Sequence, residues 1–331
     1  MIDIKNAPSI AGLNFRHFQG EGDYSQIAAV LTASEAADNV KRHVKADDIA
    51  NAYRHLSNCD PFKDIIVAEV FGKIVGYVRG WWENDTNSGR LYQHNGFLVP
   101  EWRRKGIGYA MLLWMENHLR EIADSNNREG SKLFQVNVTQ FQKSIAAMLE
   151  RVGYQPIRYF YEMVRPSLED IFEFPLPAGL EIRLVTIEHY QAIWKSIDDW
   201  SKDEWGYKEP TDDDYQEWLA SPHFQPHLWQ VTWDIATNQV VGHVLTFIDD
   251  DENEQSNRKR GYTEGIGVDH FWRRRGVARA LISRSLQALK AAGMTESALA
   301  ADSDSTSNVI RLYESCGFQI TKRDTIYRKH F

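Results

Sequence analysis

Residues 262–282 read Tyr-Thr-Glu-Gly-Ile-Gly-Val-Asp-His-Phe-Trp-Arg-Arg-Arg-Gly-Val-Ala-Arg-Ala-Leu-Ile, and three patterns follow one another within them. Tyr262 to Val268 is a β-rich run, and Arg273-Arg274-Arg275-Gly276 is a basic turn. From Val277 onward, apolar residues stand at 277, 281, 282 and 286, the spacing of a helix with one buried face. A strand that passes through a glycine turn into a helix leaves the first helical N–H groups unpaired, at the positive end of the helix dipole. Such an end suits phosphate. Gly276 and the small Ala278 let the backbone come close to a ligand. Arg273, Arg274, Arg275 and Arg279 supply charge-assisted bonds for a diphosphate or a ribose phosphate. The loop lacks the Gly-Lys-Ser/Thr ending of a Walker phosphate loop. A dinucleotide fingerprint fits poorly as well, because Gly265-Ile266-Gly267 falls inside the strand and no third glycine follows at the required spacing.

The unit occurs twice. Arg103-Arg104-Lys105-Gly106-Ile107-Gly108 stands 170 residues before its counterpart at 273–278. Leu13-Asn14-Phe15-Arg16 matches Leu180-Glu181-Ile182-Arg183, and Glu150-Arg151-Val152-Gly153-Tyr154 matches Glu314-Ser315-Cys316-Gly317-Phe318. Three signals in one order and at nearly one offset indicate a duplication, with a period too long for a solenoid. The length of 331 residues, about twice a usual domain, agrees. The expected division is 1–165 and 180–331, joined by a linker at 166–179 whose three prolines and closing glycine cannot continue a helix or a central strand. Apolar residues in that linker predict that it packs against a domain. Each half is expected to be mixed α/β (α+β). Hairpins are predicted over 64–70 and 74–82, and again over 228–234 and 240–248.

Net charge is 38 − 46 = −8, which argues against a general nucleic-acid or anionic-membrane binder. Two cysteines, Cys59 and Cys316, are too few for a disulfide framework or a cysteine-based metal site. Residues 1–15 hold no apolar core of signal-peptide length, and no apolar run approaches the roughly 18 residues that span a bilayer. The expectation is a cytoplasmic protein, without metal, membrane or nucleic-acid partner, as monomer or homodimer.

Arg-x-x-Gly-x-Gly/Ala after a strand and opening a helix resembles motif A of the GNAT acyltransferase superfamily. Leu312-Tyr313-Glu314-Ser315-Cys316-Gly317-Phe318 resembles the motif B of that family. The order and spacing of the two motifs match, and the resemblance covers 180–331. It implies two tandem GNAT folds, each a mixed, mostly antiparallel central sheet flanked by helices. It also implies acetyl-CoA as cosubstrate, its pyrophosphate on Arg273, Arg274, Arg275, Gly276, Val277, Ala278 and Arg279. The strand ahead of that loop is implied to splay from its neighbour, with a backbone N–H among Ile266, Gly267 and Val268 polarising the thioester. Tyr313 maps onto the donor that protonates the departing thiolate. An asparagine common seven or eight residues before that tyrosine is replaced by Ser305 or Thr306. Asn308 lies nearby, out of register, and is kept as a candidate contact.

Acetyl transfer to an amine also needs a base. Strand alternation puts Glu264 on one face with Ile266 and Val268, so its carboxylate is the candidate. The N-terminal copy keeps a candidate cofactor loop (Leu98, Val99, Arg103, Arg104, Lys105, Gly106, Ile107, Gly108 and Tyr109). There His94 stands where Glu264 does and Leu149 where Tyr313 does, and leucine cannot protonate a thiolate. Turnover is therefore expected in the C-terminal copy, on a primary amine of a small molecule; the alternative is a CoA-binding regulatory module that does not react. Between Asp198 and Glu217, nine acidic residues and two lysines interleave with Trp200, Trp205, Tyr207, Tyr215 and Trp218. They form either an entrance for a cationic amine or the charged face of an amphipathic helix pair. His223 and His227 are read as loop residues rather than metal ligands.

Overall fold

The computed structural model describes residues 2–38, 44–85, 89–125, 131–202, 205–302 and 306–331, with side chains in the last stretch from 309 onward. In the first half, β1 (Leu13–His17) leads through α1 (Glu21–Ala37), α2 (Ala46–Arg54) and α3 (Pro61–Asp64) into β2 (Ile65–Val70). β2, β3 (Lys73–Asp85) and β4 (Gly89–Leu98) then run antiparallel in sequence order, with β1 on the outer edge of β2. Phe71 and Gly72 turn β2 into β3 with φ of 50° and 78°, the two left-handed residues that match the twist of a hairpin. α4 (Ile107–Ser125) crosses over to β5 (Lys132–Thr139), which is parallel to β4. α5 (Lys143–Arg151) then leads to β6 (Gln155–Arg165).

The second half repeats this order. β7 (Leu180–Ile182) is followed by α6 (Tyr190–Ser201) and α7 (Asp212–Ala220). β8 (Gln230–Asp234), β9 (Val240–Val244) and β10 (Phe247–Ile248) come next, then α8 (Asp250–Ser256). β11 (Arg260–Tyr262), β12 (Gly267–Val268), α9 (Val277–Ala291), β13 (Glu296–Asp302), α10 (Thr306–Ser315) and β14 (Gln319–His330) complete the chain. Its strands form two groups. β7, β8, β9 and β12 pair antiparallel, while β11 pairs antiparallel with β10 and parallel with β13. The architecture is the mixed, mostly antiparallel sheet flanked by helices that the sequence predicts.

The division of the chain differs from 1–165 and 180–331. One compact unit holds Met1–Arg158 with Asp324–Phe331, and the other Tyr159–Arg323. The reason is that the two final strands change places. Residues 160–165 of β6 pair antiparallel with β13, and residues 324–330 of β14 pair antiparallel with β5. Because the halves are repeats, β5 and β13 offer alike edges, and side chains fix which strand each receives. Ile326 and Tyr327 are buried, and Phe331 stacks on Phe134 at 3.9 Å. The Lys329 ammonium meets the buried Glu116 carboxylate at 2.8 Å. The linker packs as expected: Leu168 is buried, and the Phe172 carbonyl accepts from Ser283 at 2.6 Å. Arg165 donates to the carbonyls of Ser167, Asp170 and Cys316, and its guanidinium occupies the space a Cβ on Gly317 would need.

Lys329 provides a check on the exchange. Lys329→Ala leaves Glu116 with Arg120, 3.1 Å away, as its one cationic partner among the described residues, an under-compensated buried charge. The loss should be about 3 kcal/mol, read as a lower urea midpoint for the first unit. An unchanged midpoint would mean that the terminal strand does not hold β5.

Candidate active site

The two basic loops share one backbone. Arg104 and Arg274 have φ of 62° and 61°, and Gly106 and Gly276 both have φ of 90°. A left-handed arginine costs about 1 kcal/mol, and such strain persists only where its surroundings enforce it. In both loops the leading arginine does so: Nε of Arg103 donates to the Leu98 carbonyl at 3.2 Å and Nε of Arg273 to the Val268 carbonyl at 3.1 Å. Each helix then buries its first side chain, Ile107 or Val277. Gly76 and Gly242 let those helices close onto the second hairpin strand, since a Cβ on Gly242 would lie 2.9 Å from Leu281 and 3.0 Å from Val277.

Beyond this frame the loops diverge. Arg103 spends its terminal nitrogens on Asp38, at 2.7 and 2.9 Å, and on the Ser34 hydroxyl at 2.8 Å. Pro8 sits 3.4 Å from where a Cβ of Gly106 would be. Arg273, Arg274 and Arg275 are exposed, and among the described residues nothing lies within 4 Å of the Cβ position of Gly276 and no side chain caps the start of α9. Cation–π contacts place Arg275 over Trp272 and Arg279 over Phe174, and Lys105 likewise lies over Trp102. The residues at 273–279 thus fit a diphosphate, with the N–H groups that open α9 set beside the exposed side chains of Arg273, Arg274 and Arg275. Gly108 also opens on free space, and Tyr109 is partly exposed.

Ahead of each loop the strand leaves its parallel neighbour at equivalent positions. β4 pairs with β5 as far as Gln93, and the last main-chain bond from the β11 strand to β13 is Thr263 N–H to the Ala298 carbonyl at 2.9 Å. The next residue in each copy is a candidate base. Glu264 bridges the gap, its main-chain carbonyl accepting from Leu245 at 2.8 Å and its carboxylate from the Ala300 N–H at 2.7 Å. Burial pushes the Glu264 carboxyl up to about 7, although the Ala300 N–H favours the charged form. His94 is buried instead, its Nε2 2.7 Å from the Tyr154 hydroxyl. Burial first, and Lys329 second, push that imidazole down to about 3.

The run 262–268 is not one continuous strand. It breaks at Gly265, whose φ of 55° is left-handed, so simple alternation does not carry from Glu264 to Ile266 and Val268. After the kink the order of β12 holds. Asp269 N–H donates to the Val241 carbonyl at 3.0 Å, so the Val268 N–H points the other way, into the opening. Val99 N–H to the Val75 carbonyl at 2.9 Å repeats this for Leu98. The side chains of Ile266 and Val268 pack against the cluster that holds Val277, Leu281 and Tyr313. Tyr313 lies on α10, buried, edge-on to Phe318. Its counterpart Leu149 is buried too. Asn308, Ser305 and the side chain of Thr306 lie outside the described residues.

The acidic aromatic stretch divides between its two readings. Trp218 and Tyr215 pack with Trp194 and Trp229 as the inner face of a helix pair. Trp200 instead stacks on His243 at 4.8 Å, and both border Gly267. His243 carries no motif in the sequence. Its Nδ1 is 2.7 Å from the Gly265 carbonyl, and the glycines at 265 and 267 were the only sign of the kink it serves. His223 stacks on Phe247 and pairs with Asp249 at 3.3 Å.

Residues 194–318 match the Acetyltransferase (GNAT) family and residues 61–156 the Acetyltransferase (GNAT) domain, together two thirds of the chain. A mycothiol acetyltransferase from Geodermatophilus obscurus is 24% identical over 319 residues, which cover 92% of this chain and 93% of the relative. Another from Thermobifida fusca is 24% identical over 252 residues, 70% of this chain and 72% of the relative. A GCN5-related N-acetyltransferase from Sphaerobacter thermophilus shares the fold at TM-score 0.71 and 21% identity, over 96% of this chain and 95% of that one. A tandem GNAT protein from the clavulanic acid biosynthesis pathway does so at TM-score 0.58 and 16% identity, over 96% and 98%. With its paired loops, its splayed strands and these two matches, the chain belongs to the GNAT family as a tandem member, and it is an N-acetyltransferase.

Proposed function

We propose that the C-terminal unit moves the acetyl group of acetyl-CoA to a primary amine of a small molecule, while the N-terminal unit acts as a structural partner. The observation that carries this is the contrast at the strand opening. In the C-terminal unit a half-buried carboxylate with a raised pKa spans the gap beside an inward N–H and a loop of exposed arginines. In the N-terminal unit an imidazole bonded to Tyr154 fills the same place, and Asp38 holds the loop arginine.

Acetyl-CoA supplies an activated thioester. The arginines at 273–275 and the N–H groups opening α9 hold its diphosphate. Glu264 takes the proton of the incoming ammonium, directly or through a water. The Val268 N–H stabilises the oxyanion of the tetrahedral intermediate. The Tyr313 phenol returns a proton to the departing thiolate. The name of the curated relatives makes a mycothiol-type acceptor the first to assay, with free CoA release as the readout.

Because Glu264 acts only when ionised, kcat/KM should rise with pH through about 7 and level off above it. Glu264→Gln keeps the Ala300 bond and removes the charge. It should lower kcat roughly 100-fold and abolish this acid limb, whereas an unchanged profile would exclude Glu264 as the base. Tyr313→Phe should lower kcat about tenfold or more while acetyl-CoA still binds; an unaltered kcat would dismiss the phenol as the acid. Calorimetric titration should show one acetyl-CoA site per chain, lost in Gly276→Glu and retained in Gly106→Glu. Two filled sites, or binding that survives Gly276→Glu, would contradict the assignment.

A further inference from the structure

We propose that His243 is the positioning residue of this site: its Nδ1–H holds the Gly265 carbonyl and so fixes the kink between Glu264 and Val268 at the opening. This rests on the reading of the C-terminal unit given above. Gly265 is the one left-handed residue between the candidate base and the candidate oxyanion donor. Glycine has the widest backbone freedom of any residue, so the kink requires a restraint from outside the strand. His243 provides it from β9, with Nδ1 2.7 Å from the carbonyl oxygen.

The restraint is itself held. The His243 ring is 3% exposed, and the Trp200 indole stacks on it with planes 18° apart. Gly267 borders both rings, since a Cβ there would lie 2.7 Å from His243 Cε1 and 2.6 Å from Trp200 Cε3. A carbonyl only accepts, so Nδ1 bears the proton and Nε2 the lone pair. Burial pushes this imidazole down to about 4, which keeps it neutral and the tautomer single. Among the described residues Nε2 has no partner. Holding the main chain therefore falls to Nδ1 alone. Loss of that bond frees Gly265 to rotate, and the Val268 N–H moves with it. A shift of about 1 Å at a reacting centre costs roughly 100-fold in rate.

Two amides separate this role from direct contact between Nε2 and the acceptor. Asparagine sets a donor two bonds from Cβ, where Nδ1 stands; glutamine sets one a bond further out, where Nε2 stands. On the fastest primary amine of a panel of glucosamine, spermidine and lysine, His243→Asn should keep kcat within about threefold of the unaltered protein. His243→Gln and His243→Ala should lose roughly 100-fold in kcat, with the Kd for acetyl-CoA and the KM for the amine nearly unchanged. The inference fails if glutamine rescues and asparagine does not, or if all three variants keep kcat. Crystal structures of His243→Asn and His243→Ala without coenzyme give a second readout, independent of turnover. Gly265 should stay left-handed in the first and leave that region in the second; a left-handed Gly265 in both would also overturn the inference. If the unaltered protein acetylates no amine, the proposed acetyl transfer fails, and these structures still decide the role of His243.

Discussion

The start of α9 is the constraint from which the rest of the site follows. A helix that opens without a side-chain cap leaves N–H groups unsatisfied. Here they are reached through two left-handed residues, Arg274 and Gly276, and ringed by arginines. The strand that delivers the chain to this turn parts from its parallel neighbour after Thr263, and Glu264 and the Val268 N–H border the gap. Val277, buried under Gly242, ties the helix to the hairpin on whose second strand His243 stands. Loop, opening and kink are thus consequences of one strand–turn–helix unit.

The duplicated copy keeps the frame of the loop and pairs its groups differently. The N-terminal loop keeps the same torsion angles, the same arginine-to-carbonyl bond and the same buried first residue. What differs is occupancy by the chain itself. Asp38 and Ser34 take the guanidinium, Pro8 comes up to Gly106, and His94 turns inward to Tyr154. The fold is preserved while the loop arginine and the strand histidine are paired within the chain.

Much of this was legible in residue order. The glycine loops, the hairpins and the motif around Tyr313 are local patterns, set by backbone sterics and by the helical period, so the fold class and the loop could be read directly. Three features could not. The exchange of β6 and β14 depends on which of two alike edges a strand joins, and that choice lies in contacts between residues far apart in sequence, such as Lys329 with Glu116. The kink at Gly265 interrupts the alternation that would place Glu264, Ile266 and Val268 on one face. Glycine inside a strand pattern hints at such a break, but its direction needs the partner at His243. The engagement of Arg103 by Asp38 also spans distant parts of the chain. In each case the deciding interaction is non-local.

The central claim is that the strand opening and loop of the C-terminal unit together bind the acetyl donor. A crystal structure of the protein with acetyl-CoA tests it most directly. The diphosphate should lie on the N–H groups that follow Gly276, with the thioester carbonyl within hydrogen-bond distance of the Val268 N–H and the sulfur beside the Tyr313 phenol. A coenzyme seated on residues 103–108, or a thioester facing away from Val268, would contradict the account.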